Sequence, residues 1–134
     1  MKKKLLIVDD EEAIRELLVD VLEEADHEIA TAQNGKEALL LSQQLHFDCI
    51  LTDIRMPVMS GFEFIKELRK TNSTVPVIFF TTFNDSENMN QALKYGAFDF
   101  ISKPHFEKLM ETVKAAYAST NDSENTINKI KDLI

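Results

Sequence analysis

Several apolar runs in this 134-residue chain stop at a residue able to do chemistry. Asp53 ends the run from Cys49 to Leu51, and Asp9 with Asp10 ends Leu5 to Val8. Thr81 closes Val77 to Phe80, and Lys103 follows Phe98 to Ile101. Three carboxylates brought together repel and raise one another's pKa unless a cation sits among them. Acidic oxygens completed by solvent and phosphate oxygens suit Mg²⁺ better than zinc or calcium. A lysine and a hydroxyl beside them match the equatorial oxygens of a phosphoryl group. The chemistry that uses all five is an aspartate attacking phosphorus while a metal neutralises the charge of transfer.

Each residue alone has a plainer reading. Acids at a helix start complement its dipole, threonine favours strands, and a single lysine is usually a solvated charge. The functional reading therefore requires elements that carry all of them to one place. Short apolar runs bounded by turn signals read as buried strands. Pro57 blocks direct continuation of the run before Asp53 into a helix. Asp53 thus belongs at the carboxyl end of a central strand, where open α/β sheets hold their ligands.

The remaining chain supplies those elements. Leu5 to Val8 is continuously apolar, as in a strand covered on both faces. Ile14, Leu17, Leu18, Val21 and Leu22 follow at helical spacing. Glu28 to Ala32 is a weaker strand candidate, Asn34-Gly35 a turn, and Ala38, Leu39, Leu41 and Leu45 a second helix. Ser60-Gly61 leads into a third helix with Phe62, Ile65 and Leu68 facing inward. Asp85 to Asn90 opens a polar fourth helix, with Met89, Ala92 and Leu93 inward and Gly96 at its end. Its polarity predicts loose packing. Phe98 to Ile101 is a fifth strand, and Phe106, Leu109, Met110, Val113 and Tyr117 mark a last helix. Five alternations of strand and helix predict an α/β fold, with a parallel sheet between two helical layers. Ser119 to Asn125 reads as a linker, and Ile127, Ile130, Leu133 and Ile134 as a short tail helix or the start of a connection.

Composition removes several classes. A net charge of −8 repels phosphate backbones, which argues against direct nucleic-acid binding. No run approaches the ~18 apolar residues of a membrane helix, and the apolar run after Lys2 to Lys4 is too short for a signal peptide. The expectation is a cytoplasmic protein without membrane contact. Cys49, the single cysteine, sits in an apolar run as a small buried hydrophobe. His27, His46 and His105 are scattered, with no zinc-ligand spacing, and His27 and His46 read as surface residues.

Taken in order, Val8-Asp9-Asp10, Asp53-Ile54-Arg55-Met56-Pro57-Val58-Met59-Ser60-Gly61, Thr81, Gly96 to Phe100 and Lys103-Pro104 resemble the receiver domain of two-component response regulators, of the chemotaxis-receiver kind. The resemblance implies a flavodoxin-like three-layer sandwich with a five-stranded parallel sheet of order 2-1-3-4-5 and five helices. It implies a receiver domain over residues 1–118, with 119–134 as linker or tail. Asp53 would accept a phosphoryl group from a sensor histidine kinase or histidine phosphotransfer protein. Mg²⁺ would be held by Asp10, Asp53 and the backbone carbonyl of Arg55, with Asp9 acting through a water. Lys103, the Thr81 hydroxyl and the Thr82 backbone N–H would hold phosphoryl oxygens, and the Lys103-Pro104 peptide would be cis.

The same resemblance makes Thr81 and Phe100 a switch pair, read out by the fourth helix, fifth strand and fifth helix, including Lys94, Tyr95 and Phe98. An output domain, a separate target or a second copy of the chain would bind there. Arg55 and Phe83 would flank the path of the hydrolytic water and tune the lifetime of the phosphorylated state. His105 stands where the family usually has an apolar residue. Two other classes compete with this reading. A Mg²⁺-dependent aspartyl phosphatase is disfavoured because Asp53-Ile54-Arg55 lacks a second acid. A binding module that works without phosphorylation is the alternative, although it leaves the full set of acids, hydroxyl and lysine without a use. A nucleotide-binding protein is disfavoured by the absence of a Walker loop or Gly-x-Gly-x-x-Gly turn.

Overall fold

The computed structural model describes residues 2–23 and 27–119. Strands and helices alternate: β1 (Lys3–Val8), α1 (Glu12–Leu22), β2 (His27–Ala32), α2 (Gly35–Gln44), β3 (Cys49–Thr52), α3 (Gly61–Leu68), β4 (Val77–Thr81), α4 (Ser86–Lys94) and β5 (Asp99–Ser102). A 3₁₀ turn, Phe106–Lys108, then leads into α5 over residues 109–119. All neighbouring strands are parallel, in the order β2-β1-β3-β4-β5.

Because successive strand residues point to opposite faces, each apolar strand feeds two cores. Leu6, Val8, Ile50, Val77 and Phe79 meet Ala38, Phe64, Ile65, Leu68 and Ala92 on the side of α2, α3 and α4. Leu5, Ile7, Cys49, Leu51, Ile78 and Phe80 meet Leu18, Leu22, Leu109 and Val113 on the side of α1 and α5. The continuous apolar runs of β1, β3 and β4 follow from this double coverage.

Helix starts are set by side-chain caps at three sites. Asn34 accepts from the Glu37 N–H, and Asp85 from the Asn88 N–H. Ser60 and Glu63 form a reciprocal capping box. Asn34 is therefore an N-cap rather than simply part of a turn. The α1 cap residue, Glu11, makes no side-chain cap bond.

Inner faces differ from the periodicity in places. Phe64, not Phe62, is the fully buried aromatic of α3, since Phe62 lies at the helix edge against Phe79 and Tyr95. In α1 only Leu18 and Leu22 are buried, while Leu17 and Val21 lie on the solvent side. In α4, Ala92 alone is buried, with Met89 44% and Leu93 72% exposed. Ala92 is the residue of this helix that joins the core, and Met89 and Leu93 lie outside it. Strand β5 begins one residue later than expected, at Asp99. Helix α5 continues through Ser119, which the composition assigned to a linker. The rest of the expected linker and tail helix falls outside the described residues. His27 is half-buried rather than on the surface, its ring centroid 5.4 Å from that of Tyr117.

Candidate phosphoryl-transfer site

The sheet ladder runs one residue past the strands and so fixes the residues of interest at one edge. Asp9 N–H donates to Ala32 O, Asp53 N–H to Val8 O, and Lys103 N–H to Thr81 O, at 3.1, 3.0 and 2.8 Å. One carboxylate oxygen each from Asp9, Asp10 and Asp53 lies within 4.8 Å of the others. The Lys103 ammonium donates to Asp9 Oδ2 at 2.8 Å and to Asp53 Oδ2 at 2.9 Å. The second oxygens of Asp9 and Asp53 also have partners. Asp9 Oδ1 accepts from Glu11 N–H and Asp53 Oδ1 from Ile54 N–H. The Lys103-Pro104 peptide is cis.

Burial decides the electrostatics. Asp9 is 1% and Asp53 7% exposed, whereas Asp10 lies at the open mouth. Burial raises the Asp9 pKa, and the bonds from Lys103 and the Glu11 N–H only partly oppose that rise. Burial also works against the Lys103 charge, but its hydrogen bonds to Asp9 and Asp53 outweigh this, so its pKa rises overall. One ammonium among three carboxylates leaves an excess of negative charge at an all-oxygen site. That donor set fits a hard divalent cation such as Mg²⁺.

The β3–α3 connection is held equally tightly. A Cβ at Gly61 would run into the backbone carbonyl of Asp53, so only glycine lets α3 begin this close to the acid. Gly61 N–H donates to Ile54 O at 2.7 Å. Val58 carries φ +71°, with Met59 N–H bonded back to Pro57 O at 2.8 Å.

Thr81 is fully buried, and its hydroxyl accepts from the Phe83 N–H at 3.2 Å. Thr82 is exposed beside it. Arg55 and Phe83 come together, guanidinium over ring. Phe100 is half-buried, 6.4 Å from the Phe79 ring. Two participants escaped sequence reasoning. The Thr52 hydroxyl donates to the Asp53 carbonyl at 2.9 Å, and Arg15 Nη1 donates to the Asp9 carbonyl at 2.7 Å. Position gave a hint for Thr52, the last strand residue before the acid. Nothing in the local pattern marks Arg15.

This fold with this edge defines a receiver, and the chain belongs to the response regulator receiver domain family, which it matches over residues 5–114. It is 36% identical over 126 residues to the transcriptional regulatory protein ZraR of Klebsiella oxytoca, covering 93% of this chain and 28% of that protein. It is 41% identical over 101 residues to the regulatory protein AtoC of Escherichia coli (strain K12), covering 75% of this chain and 22% of that one. The chain thus spans about a quarter of the length of these curated relatives. Among solved structures it resembles the chemotaxis response regulator CheY4 of Vibrio cholerae, with TM-score 0.80, 35% identity, and 87% and 99% of the two chains covered. A CheY-like receiver domain protein from Methanospirillum hungatei JF-1 gives TM-score 0.87 at 29% identity, covering 92% and 99%. Among the described residues, no helix is long and apolar enough to cross a membrane.

Proposed function

We propose that Asp53 accepts a phosphoryl group from a phosphohistidine on a sensor kinase or phosphotransfer protein. The supporting observation is the Lys103 ammonium, which bridges Asp53 and Asp9 across the ends of three parallel strands. The ionised Asp53 oxygen forms the new bond to phosphorus as the phosphorus–nitrogen bond breaks, and that electron pair returns to the donor imidazole. Hydrolysis later breaks the Asp53 oxygen–phosphorus bond and restores the carboxylate with release of inorganic phosphate. The chain thus acts as a switch, modifying itself and not turning over an external metabolite.

Asp10, Asp53 and the Arg55 carbonyl are the groups proposed to hold Mg²⁺, with Asp9 behind them through a water. Mg²⁺, when bound, supplies positive charge where negative charge builds up on the phosphoryl oxygens. Lys103 exchanges its bond to Asp53 for a phosphoryl oxygen. Thr82 N–H holds another, and the Thr81 hydroxyl leaves the Phe83 N–H to hold a third. That movement opens space toward Phe100, whose ring turns inward and alters the α4–β5–α5 face, where Leu93 and Phe98 already stand exposed. Residues 1–118 form the receiver in this reading, and 119–134 connect it to an output domain, a target or a second copy.

The test is incubation with Mg²⁺ and acetyl phosphate, wild type beside Asp53→Asn. Mass spectrometry is expected to show one added phosphoryl group in the wild type alone. Identical spectra would refute the assignment.

A further inference from the structure

Asp10 is the acid of the cluster with nothing to aim it. Asp9 and Asp53 each have both carboxylate oxygens engaged, through Lys103 and a backbone N–H. Among the described residues, no hydrogen bond or ion pair restrains the Asp10 carboxylate, which lies at the exposed mouth. Its direction is therefore set by the backbone of the β1–α1 turn. Glu11 at the α1 N-cap makes no side-chain cap bond, so the turn is fastened from its other end, where Asp9 Oδ1 accepts from the Glu11 N–H.

Arg15 adds a second brace on the carbonyl side of the turn. From the first turn of α1 its guanidinium reaches back to the Asp9 carbonyl at 2.7 Å, a short charge-assisted bond, while its own N–H bonds to Glu11 O at 3.0 Å. Glu11, Glu12 and Glu16 are its sequence neighbours, yet among the described residues it forms no ion pair with them. The half-buried guanidinium is committed to the carbonyl immediately preceding Asp10.

We propose that Arg15 is a positioning residue for the acidic cluster, bracing the β1–α1 turn so that Asp10 faces Asp9 and Asp53 and thereby setting the affinity for a divalent cation. The proposal rests on the metal-site reading above. It has a sign that charge alone does not share. Deleting a nearby positive charge without moving anything would strengthen the attraction of the acids for Mg²⁺, whereas deleting a brace weakens binding by misplacing a ligand. Groups that orient metal ligands from behind typically matter by about 10–100-fold in affinity.

The experiment is calorimetric titration of Mg²⁺ into the unphosphorylated protein, for wild type, Asp10→Asn, Arg15→Met and Arg15→Lys, with amide exchange at Glu11 and Glu12. The expected result is binding about tenfold or more weaker in Arg15→Met, at the lower end of the range for such groups. Faster exchange at those two amides should accompany it, with the unfolding midpoint of the sheet retained. Arg15→Lys keeps the charge but braces less well, so intermediate weakening is expected, and this variant carries the test if Arg15→Met does not fold. Binding as tight as or tighter than wild type in the folded variants overturns the role of Arg15. Failure of the wild type to bind, or full binding by Asp10→Asn, overturns instead the metal site on which it rests.

Discussion

The Arg55 guanidinium carbon lies 4.0 Å from the centroid of the Phe83 ring, joining the loop after β3 to the loop after β4. Neither residue is far in sequence from a proposed reacting group, since Asp53 precedes Arg55 by two positions and Thr81 precedes Phe83 by two. We propose that this pair, one cation over one ring, acts as a lid for the acceptor. An exposed cation–π contact of this kind is worth about 0.5–1 kcal/mol.

If the lid slows access of water to the acyl phosphate, losing it speeds phosphate loss. Arg55→Ala and Phe83→Ala should each shorten the phosphorylated half-life, by roughly two- to fivefold if the stacking energy is fully expressed in the barrier. Combining them should add little, because either change removes the same contact. The decay of the phosphorylated species, followed by mass spectrometry, measures this. Equal or slower decay in Arg55→Ala would reject the shielding role.

The raised pKa of Asp9 means that its ionised form is less favourable in the fold than in the unfolded chain. The folded state therefore holds the proton more strongly, and ionised Asp9 lowers stability at neutral pH. That cost disappears as pH falls below the ordinary carboxylate range. Without Mg²⁺, Asp9→Asn should accordingly melt above wild type at pH 7, with the gap closing on acidification or on adding Mg²⁺. Lys103, whose pKa is raised, contributes stability that is complete below its unfolded value and lost only at strongly alkaline pH. Thermal melts across pH with and without Mg²⁺ give both signs.

Gly61→Ala places a methyl group against the Asp53 backbone carbonyl. Backbone cannot yield as a side-chain tip would, so α3 must shift away from β3. Overpacking of this kind costs about 1–3 kcal/mol, and urea unfolding should show a loss of that order together with slower phosphorylation from acetyl phosphate.

Val58 is a β-branched residue at φ +71° and is 74% exposed. Left-handed backbone costs an L-residue roughly 1–2 kcal/mol, which asparagine tolerates better. Val58→Asn should therefore stabilise the protein by about 0.5–1 kcal/mol, a fraction of that strain, with phosphorylation unchanged. An unaltered or lowered urea midpoint would show that the loop carries no such strain.

Packing in α3 and α4 separates side chains that look alike in sequence. Phe64→Ala empties a fully buried site and should cost about 3–5 kcal/mol. Leu93→Ala, at a position 72% exposed, should stay within about 0.5 kcal/mol. Parallel chemical denaturation of the two variants is sufficient to compare them.

The primary sequence by itself determined the architecture and the chemical set. Buried parallel strands must be continuously apolar, so Asp9, Asp53, Thr81 and Lys103 declared their places as chemical groups at the ends of such runs, even though Asp9, Asp53 and Thr81 are themselves buried. Helix faces were less legible, as with Leu93 and Phe62. Periodicity reports which residues share a stripe, but not how far the neighbouring layer extends to cover it. Tertiary structure alone decided the contacts between segments distant in the chain. The Lys103 bridge to Asp9 spans 94 positions, and the meeting of Arg55 with Phe83 depends on which strands lie side by side. The reach of Arg15 to the Asp9 carbonyl is local in sequence yet equally hidden. A backbone carbonyl as acceptor leaves no mark on residue type, and only the folded turn shows where it points.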